Sequence, residues 1–165
     1  MTRRVSDLPP LLAPGLHPVT INRLIVICVE AFPFSNSRAA IMYGFQLIVC
    51  QLVALGIIGD IVVDGSFLTE EIEPEDIDFA LCVTPDFYES CSALQRSFLE
   101  WIRDDFSIKR THHCDCYLCI EYPQWHGEFF EGIQNRAFWI NLFAESVIYK
   151  QSRGVAIIQI DGEVL

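Results

Sequence analysis

Residues 60–83 read DIVVDGSFLTEEIEPEDIDFALCV, and this stretch decides the fold. Asp60 to Asp64 carries adjacent β-branched residues and predicts a strand. Residues 65–75 are polar and contain Pro74, which makes them a connection. Asp76 to Val83 predicts a second strand that starts polar and ends apolar. Side chains at i and i+2 of a strand project to the same side, so Asp76 and Asp78 point together. Two carboxylates held that close repel, and a divalent cation between them removes the penalty. All-oxygen ligation of this kind suits Mg²⁺ or Mn²⁺, ions usually shared with substrate phosphates. Gly65 lets backbone approach a bulky ligand, and Ser66 offers a hydroxyl and an N–H to a phosphate oxygen. In acidic proteins Asp-x-Asp is common on solvated faces, but here both pairs end adjacent apolar strands.

Outward from this centre, residues 1–20 contain Pro9, Pro10, Pro14, Gly15 and Pro18 and read as an extended arm, neither helix nor strand. Residues 21–165 read as a single domain. Leu24 to Phe32 is apolar and of either type. Ser35, Asn36 and Ser37 supply N-cap oxygens for a long buried helix from Ala39 to Leu55, which Gly56 and Gly59 end. A second helix is expected from Tyr88 to Arg103, a strand from His112 to Glu121, an aromatic helix from Asn135 to Glu145 and a last strand from Val155 to Ile160. The expected class is α+β, with a small mixed β-sheet flanked by helices.

The 165 residues include 11 basic and 22 acidic side chains, a net charge of −11. That excess argues against a duplex-DNA or anionic-membrane binder, because both require a basic face. The 52% hydrophobic content excludes a disordered chain. Seven cysteines are an odd number, mostly inside apolar runs, and no apolar segment follows the N-terminal arginines, so a reducing cytoplasm is expected. Residues 39–59 carry no charge and approach the length of a bilayer span, yet Gln46, Gln51 and Gly44 favour a buried helix and no membrane association.

Gly65-Ser66, nine residues and then Asp76-x-Asp78 resemble the signature of the nucleotidyltransferase (polymerase-beta-like) superfamily, especially its small minimal bacterial members. LPPLLAPGLHPVT near the N-terminus, VDGSFLTEEIEPEDIDFAL, and the later AFWINLFAES and SRGVAIIQI are similar to a group of uncharacterised bacterial proteins with an expected nucleotidyltransferase fold. The resemblance implies a third carboxylate on a later strand, and Asp115 in HHCDCYLCIE matches best. It also implies transfer of a nucleoside monophosphate from an NTP to an acceptor hydroxyl. Asp76, Asp78 and Asp115 would be the catalytic and metal-binding residues for Mg²⁺ or Mn²⁺, with Gly65, Ser66 and Arg153 on the nucleotide. Relatives carry a lysine where this chain has Arg153, in SRGVAI.

Other residues allow other readings. His112, His113, Cys114, Cys116 and Cys119 are zinc-capable types, but C-x-C-x-x-C on one strand splits its sulfurs between two faces. His17 reads as a loop residue, Arg38 and Lys150 could meet a triphosphate, and Trp125, Phe138, Trp139 and Phe143 read as core. The acceptor is expected to be a protein side chain or a small molecule. The alternative function is a catalytically silent binding or regulatory protein with a partner protein, such as a toxin–antitoxin or phage-defence component.

Overall fold

In the computed structural model, which describes residues 8–103, 105–129, 136–144 and 153–161, a short strand β1 (Gly15–Pro18) comes first. Helix α1 (Ile21–Ile25) follows, its first turn capped by the Thr20 hydroxyl, which accepts from the Arg23 N–H; Val26–Glu30 extends it with wider π-type turns. Helix α2 (Arg38–Ala54) leads into strands β2 (Gly59–Asp64) and β3 (Ile77–Val83). Three helices, α3 (Pro85–Ser90), α4 (Ala93–Arg103) and α5 (Asp105–His112), then precede strand β4 (Cys114–Ile120). Helix α6 (Arg136–Ala144) and strand β5 (Gly154–Ile160) complete the described elements.

The strands form one mixed sheet in the order β1-β5-β2-β3-β4. β1 runs parallel to β5 and β3 parallel to β4, whereas β2 is antiparallel to both its neighbours. Alternation divides each strand between two faces. Ile61, Val63, Ile77, Phe79, Leu81, Cys114 and Cys116 point to the larger core, where Phe45, Ile48 and Leu52 of α2 meet Leu99 and Ile102 of α4. Phe45 and Phe79 pack edge to face, centroids 5.4 Å apart. Val62, Ala80, Cys82, Cys119 and Val155 point the other way, against Trp139 and Phe143 of α6. The class is therefore α+β with a mixed sheet, as the pattern predicts, and β1 makes that sheet five-stranded.

Four sequence expectations change. Residues 15–18 of the expected arm are an edge strand, in which Gly15 takes φ 127° and Pro18 ends the strand, a position where its missing N–H is tolerated. The helix expected over 88–103 is two helices broken at Cys91, with Ser92 and Gln95 capping the second reciprocally: the Gln95 N–H donates to Ser92 Oγ and the Ser92 N–H to Gln95 Oε1. Helix α5 occupies residues for which the pattern predicts no element, and its end at His112 shortens the expected strand. Trp125 is 83% exposed and outside the core, and Phe138 lies on the outer side of α6, while Trp139 and Phe143 are buried as expected. Of the uncharged 39–59 segment, residues 39–54 lie in α2 and Gly59 already begins β2, and among the described residues no helix is long and apolar enough to cross a membrane.

Gly44 explains how α5 reaches its place. A Cβ at Gly44 would overlap the His112 carbonyl oxygen, so α2 and the end of α5 touch backbone to backbone there. His113, at φ 54°, then turns the chain sharply into β4.

Candidate functional site

β2 ends, and β3, β4 and β5 begin, at one edge of the sheet. The register aligns Asp64 of β2 with Asp78 of β3, and Asp78 with Asp115 of β4. Three aspartates thus lie in a row on neighbouring strands spaced about 4.8 Å apart, on the face opposite the larger core. Asp76, two residues before Asp78, stands just outside that row at the mouth of the edge. Asp64 and Asp78 are buried, while Asp76 and Asp115 keep 15% and 17% of their side chains exposed. Like charges in register oppose strand pairing, so such a row requires compensation.

Part of that compensation is Lys109, in the last turn of α5. Its ammonium lies 2.6 Å from Asp76 Oδ2 and 2.8 Å from Asp115 Oδ2, bridging the two. Partial burial pushes the ammonium down, but its hydrogen bonds to Asp115 and Asp76 outweigh this and hold it above the ordinary lysine range. The other oxygen of Asp115, Oδ1, is buried and meets no hydrogen-bond donor among the described residues.

Gly65 packs directly on this row. It adopts φ 94°, and a Cβ there would collide with Asp78 Oδ2, so only glycine fits the turn beside the carboxylate. Ser66 begins a single 3₁₀ turn, Ser66–Leu68, closed by the Leu68 N–H donating to the Gly65 carbonyl. The segment that follows is anchored from beneath by Arg38. This arginine is completely buried: Nη1 donates to the carbonyls of Cys28 (2.9 Å) and Phe67 (2.8 Å), and Nη2 to those of Thr69 (2.7 Å) and Glu71 (2.6 Å). Its guanidinium lies 3.8 Å from the centre of the Phe32 ring. Arg38 is therefore not available to a triphosphate, contrary to expectation; it fixes the loop that carries the Gly-Ser turn.

The sequence-predicted residues Gly65, Ser66, Asp76, Asp78 and Asp115 come together at this edge. Arg153, immediately before β5, reaches the same edge with a buried side chain, and its N–H donates to the Ala144 carbonyl at the end of α6. Lys150 lies outside the described residues. His17 bonds locally, its Nε2 2.7 Å from the Ala13 carbonyl oxygen. The zinc-capable types divide as strand alternation requires, with Cys114 and Cys116 under the helices and Cys119 on the opposite face. Burial pushes the Cys114 thiol well above the usual range. Among the described residues no three His, Cys, Asp or Glu side chains are already arranged as a metal cage.

A model of a family of unknown function, DUF6932, matches residues 6–161. The chain belongs to the DUF6932 family. Comparisons of this DUF6932 chain with curated proteins and with solved structures give no match. Two members of the DUF6932 site are missed by motif reading. Asp64 directly precedes Gly65, and alternation puts it on one face of β2 with Asp60 and Val62, but only the register brings it beside Asp78. Lys109 leads the KRTHH run, a basic cluster just ahead of the strand that carries Asp115.

Proposed function

We propose that the chain is a cytoplasmic, metal-dependent nucleotidyltransferase that moves a nucleoside monophosphate from an NTP to the hydroxyl of a protein side chain or small molecule. The observation that supports this most is the Asp64–Asp78–Asp115 row with Asp76 at its mouth and the Gly65-Ser66 turn packed against Asp78. The donor set fits a hard divalent cation, and the orphaned Asp115 Oδ1 leaves a buried lone pair facing no donor among the described residues. Asp76, Asp78 and Asp115 would hold Mg²⁺ or Mn²⁺, which when bound would neutralise triphosphate charge and acidify the acceptor hydroxyl.

The protein's own groups have definite parts in this reading. Gly65 brings backbone close enough for Ser66 to hold β- and γ-phosphate oxygens. Arg153 adds positive charge at the same edge. Asp115, partly open to solvent, accepts the proton of the attacking hydroxyl while pyrophosphate leaves. The net charge of −11 disfavours a nucleic-acid acceptor. Incubation with α-³²P-labelled NTPs and Mg²⁺ tests the reading: wild type should transfer label to an acceptor, and Asp76→Asn and Asp78→Asn should reduce transfer at least about a hundredfold. A wild type that neither transfers label nor binds Mg²⁺–NTP overturns it.

A second reading has its own support. Lys109 already neutralises Asp76 and Asp115, which suits a silent descendant that keeps the fold for partner binding, as in toxin–antitoxin or phage-defence systems. Stable folding, no label transfer and capture of a defined partner protein would favour it.

A further inference from the structure

The ion bridge between α5 and the sheet edge extends the site in a direction the motif does not indicate. We propose that Lys109 is the resident counter-ion of Asp76 and Asp115, and that a divalent cation reaches these two carboxylates only by displacing it. This rests on reading the row as a metal-dependent nucleotide site.

Three observations carry it. The ammonium sits between Asp76 Oδ2 and Asp115 Oδ2 at 2.6 and 2.8 Å, so one oxygen of each carboxylate is already committed to a positive charge. The placement is built into the backbone: Gly44 admits the end of α5 against α2, and the left-handed His113 returns the chain to Asp115 only six residues after Lys109. The bond is also reversible. Half of the Lys109 side chain is exposed, and its flexible four-carbon stem can carry the ammonium into water without disturbing the core.

Displacement leaves a released ammonium beside an incoming metal–triphosphate complex, whose phosphates carry the negative charge that can receive it. The bridge therefore discriminates against free metal and in favour of metal that arrives with nucleotide. A lone cation must break two charged hydrogen bonds and leave Lys109 in water; the complex supplies Lys109 with a new partner.

Calorimetric titration of Mn²⁺ alone into wild type, Lys109→Met and Lys109→Arg tests this at one pH. Removing the competing charge should tighten Mn²⁺ binding at least about tenfold in Lys109→Met, while Lys109→Arg stays close to wild type. Adding Asp78→Asn to Lys109→Met should abolish the gain. Should Lys109→Met melt below the assay temperature, Lys109→Gln carries the same test. Unchanged or weaker Mn²⁺ binding in a folded neutral variant overturns the proposal. The two readings fail separately: tighter Mn²⁺ binding without label transfer in any variant keeps the lysine's role and sinks the transferase, and label transfer by wild type with unchanged Mn²⁺ affinity in Lys109→Met does the reverse.

Discussion

Arg38 and Lys109 are two cations bonded to the stretch from Phe67 to Asp76, and they are held in opposite ways. Arg38 is sealed from water, its planar fork spread over the carbonyls of Cys28, Phe67, Thr69 and Glu71. Lys109 is half exposed and bound through full charges to Asp76 and Asp115. A guanidinium that completes backbone hydrogen bonds is part of the scaffold, because its removal strands several buried acceptors. An ammonium between carboxylates is exchangeable, because any other cation can take its place. One positive charge is locked into the fold, and the other is held only by an open bridge to two carboxylates.

Substituting each cation by methionine is the strongest way to break the comparison. Arg38→Met should cost about 3–5 kcal/mol in urea denaturation, since the orphaned carbonyls keep their desolvation penalty. Lys109→Met should cost less than about 1 kcal/mol, because solvent screens a half-exposed bridge. Equal losses would erase the distinction. Gly65→Ala comes next, at about 2–3 kcal/mol, from a strained φ of 94° and the collision with Asp78. It should also weaken Mn²⁺ binding, which Arg38→Met does only through unfolding.

Glu73 sharpens the comparison with the smallest effect. Its carboxylate accepts from the Asn36 and Ser37 N–H groups, both at 2.9 Å, so it ties the surface of the loop to the start of α2 as Arg38 ties its interior. The Asn36 N–H first, with Ser37 and the side chains, holds Glu73 below its ordinary value of 4.5. A lowered carboxylate stabilises the fold above that ordinary value, and the contribution disappears as pH falls through the lowered one. The melting-temperature gap between wild type and Glu73→Gln should therefore be present at neutral pH and close as pH falls below the ordinary value of 4.5 and through the lowered one. A gap independent of pH would mean the anchor is not ionic.

Sequence alone revealed the parts of this site whose local rules agree. Asp76-Ile77-Asp78 and Gly65-Ser66 stand at strand ends where alternation and turn chemistry both apply, and α2 shows its capping serines and its apolar run. Ser37, the N-cap residue, makes no side-chain cap bond, and it is Ser35, two residues earlier, whose hydroxyl accepts from the Arg38 N–H at 3.2 Å. The rest depended on tertiary contacts. Helix α5 has a polar sequence that predicts no element until Gly44 is known to admit it, and Lys109 is invisible as a partner until α5 is placed. Asp64 is unremarkable as a strand end until the register with Asp78 aligns it with Asp115. Ser92 and Gln95 did carry a legible capping pattern, hidden inside a continuous apolar spacing.

Strand order has one further effect, on how the molecule is made. β5 lies between β1 and β2, so Gly15–Pro18 pairs with Gly154–Ile157, across nearly the whole sequence. During synthesis β1 emerges early and has no neighbour until β5 leaves the ribosome, and β2 presents an unpaired edge for the same interval. The carboxylate row can form from β2, β3 and β4 beforehand, but the floor of the sheet is completed last. A pairing across so much of the sequence raises the contact order, which slows folding relative to locally paired sheets.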